Sequence, residues 1–230
     1  EGALYFDLTV DGEIEEARLY TANSTQAPEM RNWQKTGMQT LGEGQYFARV
    51  VVHDATSPVY AFAWVSYKNG MTLCSPMNEV TPSALGIKGA ECGKNRLIYD
   101  GDMGVDDWIA GDGGEAEVAE GPFGISGVGA DEALYTFKLS DWAYRGEPGY
   151  VLQMLVYSET DQEIAVKLLT KAGEVYFALR SLKRNDGWVK LNFDVHDFKS
   201  GKGTLDSWDR VATVRLTFSG RVIISNMLWV

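Results

Sequence analysis

The chain has 230 residues, 45% of them hydrophobic and 12% aromatic, and it carries a formal net charge of −11 at pH 7. The length suits two small domains. The negative charge repels nucleic acid and anionic membrane surfaces, and no run reaches the roughly 18 apolar residues that a membrane-spanning helix needs. We therefore expect a monomeric, secreted or cell-envelope protein that binds neither nucleic acid nor membrane.

The first residues already resemble a strand. The chain opens at Glu1 without a methionine or a signal peptide, and an apolar run over residues 4–10 follows at once. A signal peptide would show a charged segment, an apolar segment and a cleavage site. We therefore expect a processed chain or a piece of a longer protein.

The first module, residues 1–85, is predicted to be an immunoglobulin-like β-sandwich. Runs at 46–52 and 59–67 read as strands, and Asn69-Gly70 follows the second of them before another apolar run. Asn-Gly between two apolar runs is a strong hairpin signal. Strands at short spacing without a long helical period are typical of immunoglobulin-like folds.

The second module is predicted to occupy residues 86–230, after a short linker at 78–86 that is rich in Pro, Ser and Gly. The two cysteines of the chain, Cys74 and Cys92, flank this junction. They form a disulfide if the protein is exported, or else are two small buried apolar residues. Their spacing to each other and to the two histidines does not fit a zinc site.

Apolar and polar residues alternate along the strands of the second module, which predicts half-buried antiparallel strands. The expected inward residues are Ile164, Val166 and Leu168, then Val175, Phe177 and Leu179, then Val189, Leu191 and Phe193, and finally Val214, Leu216 and Phe218. Aromatic, amide and basic side chains occupy the positions between them. Flat rings can stack on sugars, and forked donors can bind hydroxyl or carboxylate groups.

The residues at these polar positions are the candidate ligand-binding set. On strands, the set contains Gln153, Tyr157, Tyr176, Arg180, Trp188, Lys190 and Arg215, and in loops it contains Trp108 and Trp142. The alternative is an ordinary solvated sheet face, since a β-sandwich commonly exposes polar outer sides.

The second module resembles the galactose-binding-like jelly rolls, to which many carbohydrate-binding modules belong. The resemblance rests on the opening run Ile98-Tyr99-Asp100-Gly101-Asp102 with Trp108, and on the final run 222–229. The first module, with Arg31-Asn32-Trp33 and residues 59–63, resembles the immunoglobulin-like segment that follows the catalytic domain in some secreted bacterial esterases. Together they imply the non-catalytic C-terminal region of a carbohydrate-active enzyme.

The resemblance also implies a structural Ca²⁺ that bridges the first and last strands of the second module. The candidate ligands are Asp100, Asp102 and Asn226, whose hard oxygen atoms suit this ion. Asn226 shares the parity of apolar neighbours, so it should lie on an apolar face unless a bulge intervenes. The alternative is that Asn226 bonds a loop backbone and the two aspartates are turn residues.

We expect the function to be non-catalytic binding of a polysaccharide or oligosaccharide, which tethers a neighbouring catalytic domain to its substrate. No Gly-x-Ser-x-Gly elbow or phosphate-binding loop occurs. The alternatives are a structural spacer without ligand and a β-jelly-roll lyase or hydrolase.

The ligand is predicted to be acidic, such as a uronate-bearing polymer. Lys167, Arg180, Lys190 and Arg215 occupy expected outward positions on successive strands of an otherwise acidic chain. Neighbouring cations repel one another unless an anion or nearby acids offset the cost. Arg can hold a carboxylate by two hydrogen bonds.

Overall fold

A computed structural model describes residues 2–90, 93–111, 114–184 and 187–230. The chain is all-β, as the alternating patterns predict, and it forms two compact units, Glu1–Gly93 and Lys94–Val230. The predicted boundary after residue 85 falls at the end of the 3-10 helix Pro82–Leu85, before the division between the two units at Gly93 and Lys94. Within the described ranges, no helix is long and apolar enough to cross a membrane.

Unit 1 consists of two antiparallel sheets. Its strands are β1 (Ala3–Thr9), β2 (Ile14–Asn23), β3 (Gln34–Gly37), β4 (Gln39–Gly42), β5 (Gln45–Val51), β6 (Val59–Tyr67), β7 (Thr72–Cys74) and β8 (Asn78–Val80). One sheet has the order β1-β5-β4, and the other has the order β3-β2-β6-β7 with β8 also paired to β6. Leu4 from the first sheet packs with Val59 from the second, and Ala48 packs with Leu19 and Ala61 in a separate cluster. Unit 1 is therefore a β-sandwich, and its immunoglobulin-like topology stays a prediction.

Strand β6 turns its small residues inward and its aromatic residues outward. Ala61 and Ala63 are buried, whereas Tyr60, Phe62 and Trp64 alternate with them on the other side. Trp64 is therefore half-buried on the outward side of β6. The inward position opposite Leu19 is filled by Ala63, which suits the close spacing of two packed sheets.

The outward aromatic residues of unit 1 are covered by one another and by arginines. Tyr20 and Phe62 stack with ring centroids 5.1 Å apart, and the Arg31 guanidinium lies 3.4 Å from the Tyr60 ring centroid. Arg18 lies 5.2 Å from the Trp64 centroid. These cation–π contacts occupy ring faces that would otherwise be available to a ligand.

Unit 2 is a jelly-roll sandwich of a six-stranded and an eight-stranded sheet. Its strands are β9 (Leu97–Asp100), β10 (Ile109–Ala110), β11 (Gly114–Glu115), β12 (Glu117–Glu120), β13 (Ser126–Ala130), β14 (Ala133–Thr136), β15 (Leu152–Ser158), β16 (Gln162–Thr170), β17 (Val175–Leu182), β18 (Val189–Phe193), β19 (Lys199–Ser200), β20 (Gly203–Thr204), β21 (Val211–Thr217) and β22 (Val222–Trp229). The six-stranded sheet has the order β12-β13-β22-β15-β18, with β9 paired to β22. The eight-stranded sheet has the order β11-β10-β14-β21-β16-β17-β19-β20.

Short 3-10 helices connect the strands. They cover Pro28–Met30 and Pro82–Leu85 in unit 1, and Gly101–Met103, Pro122–Gly124, Lys138–Ser140, Trp142–Tyr144, Val195–Asp197 and Trp208–Arg210 in unit 2. Two of these turns, Lys138–Ser140 and Trp142–Tyr144, are adjacent in sequence.

The core of unit 2 lies between its two sheets. Fully buried residues come from both, for example Met154 and Ile224 from the six-stranded sheet and Val166 and Leu216 from the eight-stranded sheet. Successive strands β13 to β16 alternate between the sheets, which closes the sandwich over one shared core. The side chains that alternate with these residues point away from the core.

The first and last strands of unit 2 pair with each other. Asp100 lies opposite Asn226 and Leu97 lies opposite Leu228 in the antiparallel register of β9 and β22. A register shift in β22, between the partners of Leu155 and Val156, reverses the alternation. Asn226 and Leu228 consequently share a side opposite to the buried Met227 and Trp229.

Tyr99, on β9, carries a buried hydroxyl for which the described residues supply no hydrogen-bond partner. The residue is 1% exposed, and burial together with the charge of Asp100 raises its pKa to about 12. An unpaired buried hydroxyl costs about 1 to 3 kcal/mol. Because the pKa of Tyr99 is higher in the folded protein than in the unfolded chain, ionisation of this group at alkaline pH favours unfolding.

We expect Tyr99→Phe to raise the free energy of unfolding by about 1 kcal/mol at pH 7. The pKa of Tyr99 in the folded protein lies above the unfolded value of about 10. The stability that wild type gains from keeping this side chain protonated is therefore complete below pH 10 and is lost as the pH rises towards 12. The variant should lose less stability over that window. Urea unfolding at pH 7 and pH 11 checks both results, with the exposed Tyr5→Phe as the matched control. Identical pH dependence in the two variants would contradict the expectation.

Candidate functional site

The predicted ligand-binding residues lie on two opposite faces of unit 2. Gln153 and Tyr157 on β15 and Lys190 on β18 belong to the six-stranded sheet, whereas Arg215 on β21 belongs to the eight-stranded sheet. The core separates the two sheets, so the predicted ligand-binding set does not form a single surface. The sequence shows which side chains of a strand share a side, because apolar and polar residues alternate. It does not show to which sheet the strand belongs, since that depends on pairing with strands distant in sequence. We name the two outward surfaces the six-stranded face and the eight-stranded face.

The six-stranded face brings four of the predicted residues together. Tyr157 and Trp188 have ring centroids 6.0 Å apart, and the Gln153 amide donates to Asn192 Oδ1 over 2.9 Å. Lys190 is exposed between them, on the same side of β18 as Trp188 and Asn192. A half-buried aromatic pair beside an amide pair offers both stacking and hydrogen bonding to a ligand.

The turn Pro122–Gly124 borders this face at Trp188. The Trp188 indole N–H donates to the Pro122 carbonyl over 3.1 Å. A Cβ on Gly121 would lie 2.5 Å from the Trp188 ring, so only glycine allows this approach. The hydrogen bond and the close contact fix the orientation of the indole ring beside Tyr157.

Phe123, at the tip of this turn, is the residue that sequence reasoning missed. Its side chain is 83% exposed, and its φ of 64° is the single positive value among the non-glycine residues described. This conformation costs a non-glycine residue about 1 to 2 kcal/mol. The signal for it was the sequence Gly121-Pro122-Phe123-Gly124, which predicts a turn and therefore an aromatic side chain at a turn tip.

Two of the predicted ligand residues lie in the core, which corrects their assignment. Trp108 is 4% exposed and contacts Tyr99 edge to face at 5.3 Å between ring centroids. Tyr176 is 5% exposed because it lies opposite the fully buried Leu168 in the register of β16 and β17. A loop position and an alternating pattern suggested exposure for these side chains, but tertiary packing buries both.

The register of β17 also reverses the predicted inward residues of that strand. The hairpin from Thr170 to Glu174 contains Gly173 at a φ of 80°, and Thr170 and Glu174 are joined by a backbone hydrogen bond. Turn geometry fixes which residues lie opposite each other, and a shift of one residue changes every side chain to the other face. Val175, Phe177 and Leu179 are accordingly 45 to 49% exposed.

Arg180 and Trp142 lie away from both outward faces. The Arg180 guanidinium donates to the Asp197 carboxylate over 2.5 Å and to the Asn192 carbonyl over 3.1 Å, which directs it to the edge between the sheets. Trp142 lies in the 3-10 helix Trp142–Tyr144, where Lys94 Nζ is 5.2 Å from its ring centroid. The predicted basic row of four residues is therefore wrong, and Lys167 and Arg215 are its members that pair directly.

The candidate calcium ligands are partly brought together. Asp100 and Asn226 are directly opposite each other, on the side of β22 that the bulge turns away from the core. The Asp100 carboxylate accepts the Asp102 backbone N–H over 3.1 Å, so it caps the 3-10 helix that follows. Within the described ranges, no group of three or more His, Cys, Asp or Glu residues could hold a metal ion. The calcium site stays a prediction. A bound ion would need the Asn226 side-chain oxygen and further backbone oxygens as ligands.

The predicted disulfide between Cys74 and Cys92 involves one residue outside the described ranges. Cys74 lies exposed on β7, opposite Trp64, whereas Cys92 lies outside the described residues. The pairing stays a prediction.

Unit 2 is an antiparallel jelly roll. One of its sheet faces carries a pair of aromatic rings next to amide side chains. No family model and no curated protein matches the sequence. Solved structures with a similar fold include the module CsCBM6-3 from Clostridium stercorarium in complex with cellobiose. It is 14% identical with a TM-score of 0.37, over 61% of this chain and 98% of that chain.

Two further similar structures extend the comparison. The family 11 carbohydrate-binding module of the cellulosomal cellulase Lic26A-Cel5E of Clostridium thermocellum is 13% identical, with a TM-score of 0.43, over 60% of this chain and 96% of that chain. A family 43 arabinoxylan arabinofuranohydrolase from Bacillus subtilis is 10% identical, with a TM-score of 0.35, over 99% of this chain and 51% of that chain. At these identities the likeness concerns the fold alone.

Proposed function

We propose that this chain is a non-catalytic polysaccharide-binding protein whose ligand lies on the six-stranded face of unit 2. The observation that carries the proposal is Phe123, an aromatic side chain that is 83% exposed on a strained backbone beside Trp188. Glycine would occupy this conformation without strain. A phenylalanine here costs stability and gains no burial, which fits a side chain that contacts a ligand.

The residues around Phe123 supply the rest of the binding chemistry. Trp188 and Tyr157 extend the aromatic surface along the ends of two paired strands, and Gln153, Asn192 and Lys190 offer donors farther along them. Pyranose rings have apolar C–H faces and polar edges, so they match a strip of rings next to amide groups. Neutral β-glucan and xylan are the ligands that this mixture suits.

In the full protein, this binding would tether a catalytic domain to its substrate and raise their effective concentration. A protein with this role would act outside the cell or in the cell envelope. The structural-spacer alternative differs from this proposal in one measurable respect, because a spacer binds no polysaccharide.

We expect Phe123→Ala and Trp188→Ala each to weaken binding of xylan or mixed-linkage β-glucan by about 1 to 3 kcal/mol, roughly 5- to 150-fold. Removing either ring takes away apolar contact area with a sugar ring. Affinity gel electrophoresis and titration calorimetry with the full chain measure the loss. Phe123→Trp should retain binding, because it keeps a ring at the same position.

Phe177→Ala is the matched control, since Phe177 is also an exposed aromatic residue but lies on the opposite sheet. It should leave the affinity for neutral polysaccharide unchanged. Binding that is lost in Phe177→Ala and retained in Phe123→Ala would reject the six-stranded face as the site. Absence of binding to every neutral polysaccharide in the wild-type chain would favour the spacer.

A further inference from the structure

Strand β1 forms the open edge of the three-stranded sheet in unit 1. It runs from Ala3 to Thr9 in continuous register with β5, and among the described residues it pairs with β5 alone. Folded proteins commonly protect such an edge with a proline, a lysine or a bulge. Strand β1 has none of these three, and its single charged residue is Asp7. Its outer side is therefore open to pairing with another strand.

The ladder to β5 determines which backbone groups of β1 face outward. The Val52 N–H donates to the Gly2 carbonyl at one end of the ladder. The Val10 N–H donates to the Gly44 carbonyl at the other end. Bonded positions alternate in an antiparallel pair, so the even-numbered residues of β1 bond to β5 and the odd-numbered residues direct their N–H and C=O groups to the open edge. These outward residues are Ala3, Tyr5, Asp7 and Thr9.

A cavity of about 100 Å³ lies beside this edge, between β1 and the opposing sheet. Its lining is apolar towards the core and polar at the segment that connects β7 to β8. The apolar lining includes Phe6, Leu8, Leu19, Ala61 and Ala63, and the polar lining includes Ser75 and Asn78. The volume suits one small aliphatic side chain, since an apolar cavity of about 150 Å³ holds a benzene molecule. A strand added beside β1 would cover the cavity and could fill it.

The charge at this edge selects the kind of strand that would bind. Residues 1–17 contain six acidic residues and no basic residue, and Asp7 is exposed on β1 itself. A second copy of this chain would bring the same negative charge to the edge, and like charges opposite each other destabilise a sheet. A lysine or arginine opposite Asp7 would form a favourable cross-strand pair. The edge therefore favours a positively charged partner strand over a second copy.

We propose that the open edge of β1 binds an extended, positively charged segment of another protein by β-strand addition. The backbone of the segment bonds to the outward N–H and C=O groups of Tyr5 and Asp7. Side chains alternate along a strand, so its small aliphatic residues enter the cavity beside Ala61 and Ala63, and its basic residues lie on the outer side with Asp7. This interface belongs to unit 1 and is independent of the polysaccharide site proposed on unit 2.

The test measures binding of a labelled peptide of alternating valine and lysine to the full chain by fluorescence anisotropy. We expect binding that weakens as salt rises, because exposed ion pairs are screened. The same peptide methylated on its backbone nitrogens keeps its side chains and loses its donors, so it should bind at least tenfold more weakly. A peptide with glutamate in place of lysine should also bind more weakly, because it meets the acidic edge with like charge.

Variants of β1 test the edge directly. Tyr5→Pro removes an outward N–H and keeps the bonds to β5, so it should weaken peptide binding about threefold to tenfold. Asp7→Lys should weaken binding by about the same factor, because it places a cation opposite the lysines of the peptide. Glu29→Lys, at an exposed acid on the 3-10 helix Pro28–Met30, is the charge-matched control and should leave the affinity unchanged.

Amide hydrogen exchange locates the bound peptide. The N–H groups of Tyr5 and Asp7 should exchange rapidly in the free chain and become protected in the complex, because they gain hydrogen bonds to the peptide. Phe123→Ala should leave peptide binding unchanged, so a failure of the polysaccharide site is distinguished from a failure of this one. The proposal is overturned if the valine–lysine peptide does not bind, if its methylated form binds equally, or if exchange at Tyr5 and Asp7 does not change.

Discussion

Trp229→Ala should lower the free energy of unfolding of unit 2 by about 3 to 5 kcal/mol, the range for removing a large aromatic side chain from a core. Trp229 is 1% exposed at the end of β22. Its ring centroid is 4.8 Å from that of Trp208, and its indole N–H donates to the Tyr144 carbonyl over 2.8 Å. The substitution leaves a cavity and an unpaired carbonyl, and urea unfolding measures the loss.

Two further variants separate the causes of that loss. Trp229→Phe keeps most of the ring volume and loses the hydrogen bond, so it should cost about 1 to 2 kcal/mol. Phe177→Ala removes an exposed ring and should stay within about 0.5 kcal/mol of wild type. A Trp229→Ala variant that unfolds at nearly the wild-type urea concentration would contradict the assigned packing.

Asp107→Ala should destabilise the fold by about 3 kcal/mol, because it leaves a buried ammonium without its counter-ion. Lys138 is 5% exposed, and its Nζ lies 2.7 Å from the Asp107 carboxylate. The neighbouring Tyr144 ring, 4.9 Å from Nζ, compensates in part through a cation–π contact. Denaturant unfolding at low and high salt measures the change.

The double variant Asp107→Ala/Lys138→Met is the control for this prediction. It removes both charges and keeps an unbranched side chain in the core, so it should recover most of the lost stability. If the single and double variants were equally unstable, the loss would come from packing and the ion pair would not matter.

Much of the fold could be predicted from local patterns. The alternation along β16, β18 and β21 is confirmed, since Val166, Leu191 and Val214 are buried as predicted. The Asn-Gly turn between β6 and β7 is also confirmed. These features depend on strand periodicity and turn chemistry, which are properties of neighbouring residues.

The predictions that failed depend on contacts distant in sequence. Strands β6 and β17 are apolar at both parities, so their patterns cannot decide which side faces the core. In the structure, Ala63 and Ala178 face the core, whereas Trp64 and Phe177 face outward. Packing between the sheets determines this orientation. The same limit applied to the candidate site, because Trp188 and Arg215 are both outward but lie on different sheets.

The direct pairing of β9 with β22 determines how unit 2 would respond to mechanical force. Leu97, at the start of β9, lies opposite Leu228, near the end of β22. Tension applied between these two ends would act across the ladder, on a single pair of backbone hydrogen bonds at a time, because antiparallel bonds run perpendicular to the strands. The strands would peel apart in an unzipping geometry at low force, and would not resist together in shear.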